Sequence, residues 1–165
     1  MFKPRKFNMK KLLGVGTESF VRLRESGCYY VDKTAFMKPL LASGGDVTLV
    51  TRPRRFGKSL FINTIESFLK ADPTHPGDAS RQEQLFSGLN VLDDKPFCER
   101  FMGRTPVLSI TFKDAQGESF EAAYQKMTEM LSMVANRHAY LAESPRLNEM
   151  EKGLFRRYCL PDYMM

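Results

Sequence analysis

The chain has 165 residues, 42% of them apolar and 27% charged, with a formal net charge of +6. That is enough chain for one sizeable core, and the balance is that of a globular protein and excludes a low-complexity one. No apolar run reaches the roughly 20 residues of a membrane-spanning helix, and no apolar segment follows the first basic residues as in a secretory signal, so the expectation is a cytoplasmic protein with no membrane partner.

The charge is unevenly placed. Lys3, Arg5, Lys6, Lys10 and Lys11 lie within residues 1–11 with no acid among them, which leaves 20 basic against 19 acidic side chains in the rest. Residues 1–13 therefore read as a basic N-terminal arm, a solvated tail first, or else a contact for nucleic-acid phosphates or an acidic membrane surface. Cys28, Cys98 and Cys159 are odd in number and far apart, which argues against a disulfide framework or a zinc site and for free thiols.

Beyond the arm, Gly14-Val15-Gly16 leads into a short amphipathic helix over 18–25 carrying Phe20 and Leu23. Cys28-Tyr29-Tyr30-Val31 predicts an extended segment, and Asp32 stands as a helix cap before Lys33-Thr34. Pro39 predicts a kink or break around 37–39. Val47-Thr48-Leu49-Val50-Thr51 predicts a strand. The helix after Ser59 should turn Phe61, Ile65, Phe68 and Leu69 to the core and Asn63, Glu66 and Lys70 away, ending near Ala71 ahead of Asp72-Pro73.

Residues 80–104 are mixed, with a helical turn over 82–86 and Leu85, Phe86, Leu89, Val91 and Leu92 as buried anchors. The β-rich run 106–112 predicts a second strand. A long helix follows from Glu118, with Phe120, Tyr124, Met127, Leu131 and Val134 as its core stripe, and a last helix carries Leu147, Met150, Leu154 and Tyr158. This β-α-β-α order predicts an α/β fold, a parallel sheet with crossover helices.

The chemistry concentrates in Arg52-Pro53-Arg54-Arg55-Phe56-Gly57-Lys58-Ser59-Leu60, between the first predicted strand and a helix. A helix's first N–H groups lack partners and carry partial positive charge, so a loop ending in Gly-Lys-Ser at that junction suits a phosphate. Gly57 would let the backbone approach closely, Lys58 would reach the β- and γ-phosphates of ATP, and the Ser59 hydroxyl would ligate Mg²⁺. The spacing departs from G-x-x-x-x-G-K-[ST] at Arg52, which stands where the first Gly would be. A basic surface turn is the alternative. Arg54 and Arg55 could contact phosphate oxygens or pair with an acid such as Asp32 and brace the loop. Asp32-Lys33-Thr34 could be a simple cap or a wall of the nucleotide site. His75 and His138 have no catalytic or metal partner in the pattern.

Taken together, Gly16-Thr17-Glu18-Ser19-Phe20, Tyr29-Tyr30-Val31-Asp32-Lys33-Thr34 and the loop 51–60 resemble the bacterial AAA-ATPase-like family, as do Leu85-Phe86-Ser87-Gly88-Leu89 and 106–112. The resemblance runs from about residue 14 to residue 135. It implies a P-loop NTPase fold, with Arg habitual at the position of Arg52. It also implies a following acidic strand (a Walker B carboxylate) and, in many members, a PD-(D/E)XK nuclease-like domain.

No such acidic strand is found; Asp93, Asp94 and Asp114 sit beside loops and precede the place the family's order gives it. The expectation is therefore the N-terminal part of a P-loop ATPase domain over 14–165, binding ATP·Mg but turning it over poorly, with exposed sheet edges that favour self-association. A nucleic-acid-binding module using the basic arm and Arg-rich loop, or an inactive remnant, is the alternative.

Overall fold

The computed structural model describes residues 12–113 and 115–160. The basic arm, apart from Leu12 and Leu13, and Asp114 lie outside them. The chain divides into two compact units, Met1–Val107 and Leu108–Met165.

In the first unit, helix α1 (Phe20–Glu25) begins at Ser19, whose hydroxyl accepts the Arg22 N–H. A 3-10 turn (Thr34–Phe36) runs into α2 (Met37–Ala42). The predicted break at Pro39 is absent: the ring occupies the first turn of α2, where its missing N–H removes no helical bond. Helix α3 (Lys58–Leu69) follows the Arg-rich loop. Then come α4 (Ser80–Phe86), a 3-10 turn (Asn90–Asp93) and α5 (Lys95–Phe101), which the sequence pattern did not resolve.

The core of this unit is aromatic. Phe20 of α1, Phe68 of α3 and Phe86 of α4 are fully buried. Ring centroids lie 4.7 Å apart for Phe20–Phe86, 5.3 Å for the edge-on pair Phe68–Phe86 and 5.6 Å for the stacked pair Phe68–Phe97, distances at which ring quadrupoles attract. Leu60, Phe61, Ile65 and Leu69 pack around these rings, so the predicted stripe of α3 does face the core. Asn63 does not turn away as expected: its Oδ1 accepts the Phe20 N–H at 2.7 Å and ties α3 to the start of α1. At its far end α3 is held by the segment after α5, where Gly103 and Thr105 donate to the carbonyls of Phe68 and Leu69, each at 2.9 Å.

Asp32 fixes the segment that faces the Arg-rich loop. Its Oδ1 accepts the Thr34 N–H at 2.8 Å and the Thr34 hydroxyl at 2.7 Å, while Oδ2 accepts the Asn90 N–H at 2.8 Å. Thr34 is fully buried and its Oγ1 in turn accepts the Val91 N–H at 3.1 Å. Burial works to raise the Asp32 pKa. The bonds from Asn90 and Thr34, with the charge of Arg24, outweigh it and hold the carboxyl below the ordinary aspartate value.

The second unit comprises α6 (Phe120–Arg137), a 3-10 turn (Ala139–Glu143) and α7 (Glu149–Tyr158). Ser119 caps α6, and Asn148 with Glu151 forms a capping box on α7. Asn136 Nδ2 donates to the Cys159 carbonyl at 2.7 Å, joining the end of α6 to the end of α7. Most of the predicted core stripe of α6 is outward: Phe120 is 78% exposed, and Tyr124, Met127 and Leu131 are also exposed, whereas Val134 is half-buried and Thr128 and Ser132 are buried.

The expected parallel sheet is not there. Among the described residues the only β pairing is two isolated bridges, Leu13 with Tyr29 and Lys70 with Thr105. Residues 47–51 and 106–112 have strand composition but no ladder partner, and Val47 and Leu49 are 86% and 82% exposed. β-branched residues favour an extended, half-buried surface only when a neighbouring strand supplies it. Here local helix contacts and clustered phenylalanines form the core instead, and the fold is helical.

Two outcomes follow. Phe68→Ala should cost about 3–5 kcal/mol of stability, measured by urea unfolding, because a buried ring at the centre of the cluster leaves a cavity. Asp32→Ala should cost roughly 1–3 kcal/mol at neutral pH by stranding three donors. Because the Asp32 pKa is depressed on folding, its contribution is fully present above the ordinary value of about 3.9 and is lost as pH falls through the lowered one. The gap between wild type and variant in unfolding titrations should therefore close as the pH is taken below the ordinary aspartate range.

Candidate functional site

The Arg-rich loop reaches α3 through two left-handed residues, Arg55 at φ 66° and Gly57 at φ 75°. For a side-chain-bearing residue that region costs about 1–2 kcal/mol, so Gly57 is the natural occupant and Arg55 is strained. Gly57 is the N-cap of α3 and offers no side-chain acceptor, although its carbonyl takes the Phe61 N–H at 2.9 Å. The first N–H groups of α3 therefore lack the capping oxygen that α6 and α7 receive. They leave partial positive charge at the loop.

Lys58 adds a full charge there. Its ammonium donates to the carbonyls of Arg52 and Pro53 at 2.5 and 3.0 Å, so the loop curls around its own lysine. Lys33, from the segment held by Asp32, points at the same loop with Nζ 3.5 Å from the Phe56 carbonyl. Arg52, Arg54 and Arg55 are exposed and make no ion pair among the described residues. The pairing of Arg54 or Arg55 with Asp32 is not formed, because that carboxylate already serves Thr34 and Asn90. Five cations thus gather at one loop with no neutralising acid.

Beside the loop lies a cleft of about 390 Å³ whose walls include Phe36, Leu40, Val50, Arg52 and both lysines. A second cleft of about 500 Å³ shares Lys33, Phe56 and Gly57 with it and adds Arg55, whereas clefts away from the loop differ in character. One of about 410 Å³ mixes Lys70 and Arg81 with Glu66, Asp72 and Asp78, so its field largely cancels.

The remaining predicted residues are placed as follows. Ser59 is exposed on the first turn of α3, Phe56 is exposed at the loop tip, and the side chain of Leu60 packs on the core. Lys33, Phe36 and Val50 reach the site from outside the motif; only Lys33 stood in a segment the sequence marked as a possible wall. Asp32 is the brace behind that wall.

Magnesium requires several oxygen donors, typically carboxylates or phosphates. Among the described residues no group of three or more His, Cys, Asp or Glu could hold a metal. The exposed hydroxyl of Ser59 would be a single protein donor, so an ion there would take its remaining oxygens from a phosphate ligand and water. Elsewhere, burial raises the pKa of the Cys98 thiol and of the Tyr30 phenol, which keeps both protonated and unreactive at neutral pH. His75 lies 3.6 Å from Asp72, and His138 is buried against Tyr140. No described helix is long and apolar enough to cross a membrane.

Comparison with known proteins places the chain in a family. The model of the family described as "Predicted AAA-ATPase" matches residues 14–158. A curated protein of Azotobacter chroococcum mcd 1, described as "Uncharacterized protein in vnfD 5'region", is 34% identical over 125 residues. That match covers 75% of this chain and 21% of the relative, so the chain spans about a fifth of the curated relative's length. No solved structure matches. The family match takes in the loop, the segment braced by Asp32 and all the described helices, and the chain belongs to the AAA-ATPase-like family.

Proposed function

We propose that this chain binds a nucleoside triphosphate, ATP being the expected one, through residues 52–59. The observation that carries the reading is the position of the Lys58 ammonium, inside a loop that closes on the uncapped N-terminus of α3 through a left-handed glycine. A phosphate arriving there meets N–H donors that have no acceptor in the helix and a lysine whose present partners are neutral carbonyls. Exchanging a carbonyl for an anionic oxygen turns an ordinary hydrogen bond into a charge-assisted one, roughly twice as strong. Arg52, Arg54 and Arg55 add attraction at longer range, weakened by salt because they are exposed.

The cleft supports a nucleotide over a nucleic-acid strand. It is concave, and Phe36, Leu40 and Val50 offer apolar surface next to the cations, as a base joined to phosphates would require. Binding, without turnover, is the activity proposed for these residues. Asp32, the acid anchoring the neighbouring segment, is already engaged by three donors and is not poised to activate water.

The test is thermal unfolding with and without millimolar ATP. A ligand present at about 100 times its Kd stabilises by about 2.7 kcal/mol, which a melting curve resolves. Wild type should gain stability with ATP. Lys58→Ala should melt at the wild-type temperature alone and gain little from the nucleotide. An unchanged wild-type curve at millimolar ATP would remove the proposal, and a shift produced by a short oligonucleotide instead of ATP would favour the nucleic-acid reading.

A further inference from the structure

We infer that Lys33 is a second phosphate-binding cation of this site, carried to the loop by a separately braced segment. The inference rests on the reading of residues 52–59 as a phosphate-binding loop and adds a residue that lies outside that motif.

Three observations lead to it. First, Lys33 Nζ lies 3.5 Å from the Phe56 carbonyl, and 3.7 Å from where a Cβ on Gly57 would stand, so its charge is at the residue that opens α3. Lys33 and Lys58 line the same cleft. Second, Lys33 has no carboxylate partner among the described residues. Its neighbour Asp32 is occupied by Thr34 and Asn90, whereas Lys38, five residues along, pairs with Asp94 at 3.1 Å. Third, the backbone on either side of Lys33 is pinned. The bonds from Asp32 and Thr34 to Asn90 and Val91 fix the root of the side chain while its exposed end remains free to turn.

A long 3.5 Å contact to a neutral carbonyl is easily exchanged for an anionic oxygen. Lys58 comes from the helix and Lys33 from the braced segment, so a polyphosphate can be gripped from two sides. Two such cations favour a triphosphate over a monophosphate more strongly than one does.

The experiment measures binding of inorganic tripolyphosphate, ATP and AMP by calorimetry over a range of salt. Wild type is compared with Lys33→Met, Lys33→Arg, Lys38→Met and Lys58→Ala. Lys33→Met should weaken tripolyphosphate and ATP by roughly tenfold or more, the size of a lost charge-assisted bond, and narrow the preference for ATP over AMP. Its salt dependence should be shallower. Lys33→Arg should recover most of the affinity, and Lys38→Met should behave as wild type. The inference is overturned if Lys33→Met binds tripolyphosphate as wild type does while Lys58→Ala does not. It is overturned equally if Lys33→Met melts lower without ligand and loses ATP and AMP in the same proportion, which marks a brace only. If wild type binds neither ATP nor tripolyphosphate, the phosphate reading of the loop itself fails, and that result is distinct from the other two.

Discussion

The burial of Phe68 is the constraint on which the first unit depends. One ring touches Phe86 edge-on and Phe97 face-on, and through Phe86 it reaches Phe20, so three helices are registered on α3. The same helix carries the Arg-rich loop at its opposite end. One end of α3 is therefore immobilised by packing and by the carbonyl bonds of Phe68 and Leu69, while the other presents unpaired backbone donors to water. A rigid element with a polar, uncapped tip is a sound support for an anion, because holding the anion requires no rearrangement of the core.

Electrostatics separates this loop from the rest of the surface. Beyond the basic arm the chain is almost neutral, yet Lys33, Arg52, Arg54, Arg55 and Lys58 converge without an acid to answer them among the described residues. The nearby acid, Asp32, is withdrawn from that role by three donors, and its depressed pKa records how fully it is engaged. The segment 32–34 thus divides its work. The carboxylate and the buried threonine hold the backbone, and the lysine between them is left for the cleft.

Much of this was legible in the residues, for identifiable reasons. Capping and periodicity are local properties, so the helices over 20–25, 58–69, 80–86, 120–137 and 149–158 were readable to within a few residues. The loop was legible because Gly57-Lys58-Ser59 combines conformational freedom, charge and a helix start. The sheet was not, because strand character in 47–51 and 106–112 needs a partner that only tertiary structure supplies, and propensity alone does not reveal whether one exists. Pro39 misled because a proline breaks a helix only past the first turn, and the start of α2 could not be located from sequence. The stripe of α6 was correctly periodic, but periodicity gives a face and not its direction. Lys33 and Val50 join the site across 8 to 25 positions of sequence, and nothing local announces that. Asp32 with Asn90, 58 positions apart, is less visible still.

Helix α6 is wound with hydroxyls inward and rings outward. Thr128 satisfies itself on the Tyr124 carbonyl, but the buried Ser132 hydroxyl finds no partner among the described residues. Across the helix, Phe120 and Met133 order water that gains nothing by the arrangement. Both effects act in the same thermodynamic direction, and neither is offset within α6. Between the elements of the second unit run the exposed Arg156–Glu143 ion pair and the Asn136–Cys159 bond, while the Asn148–Glu151 box acts within α7 alone.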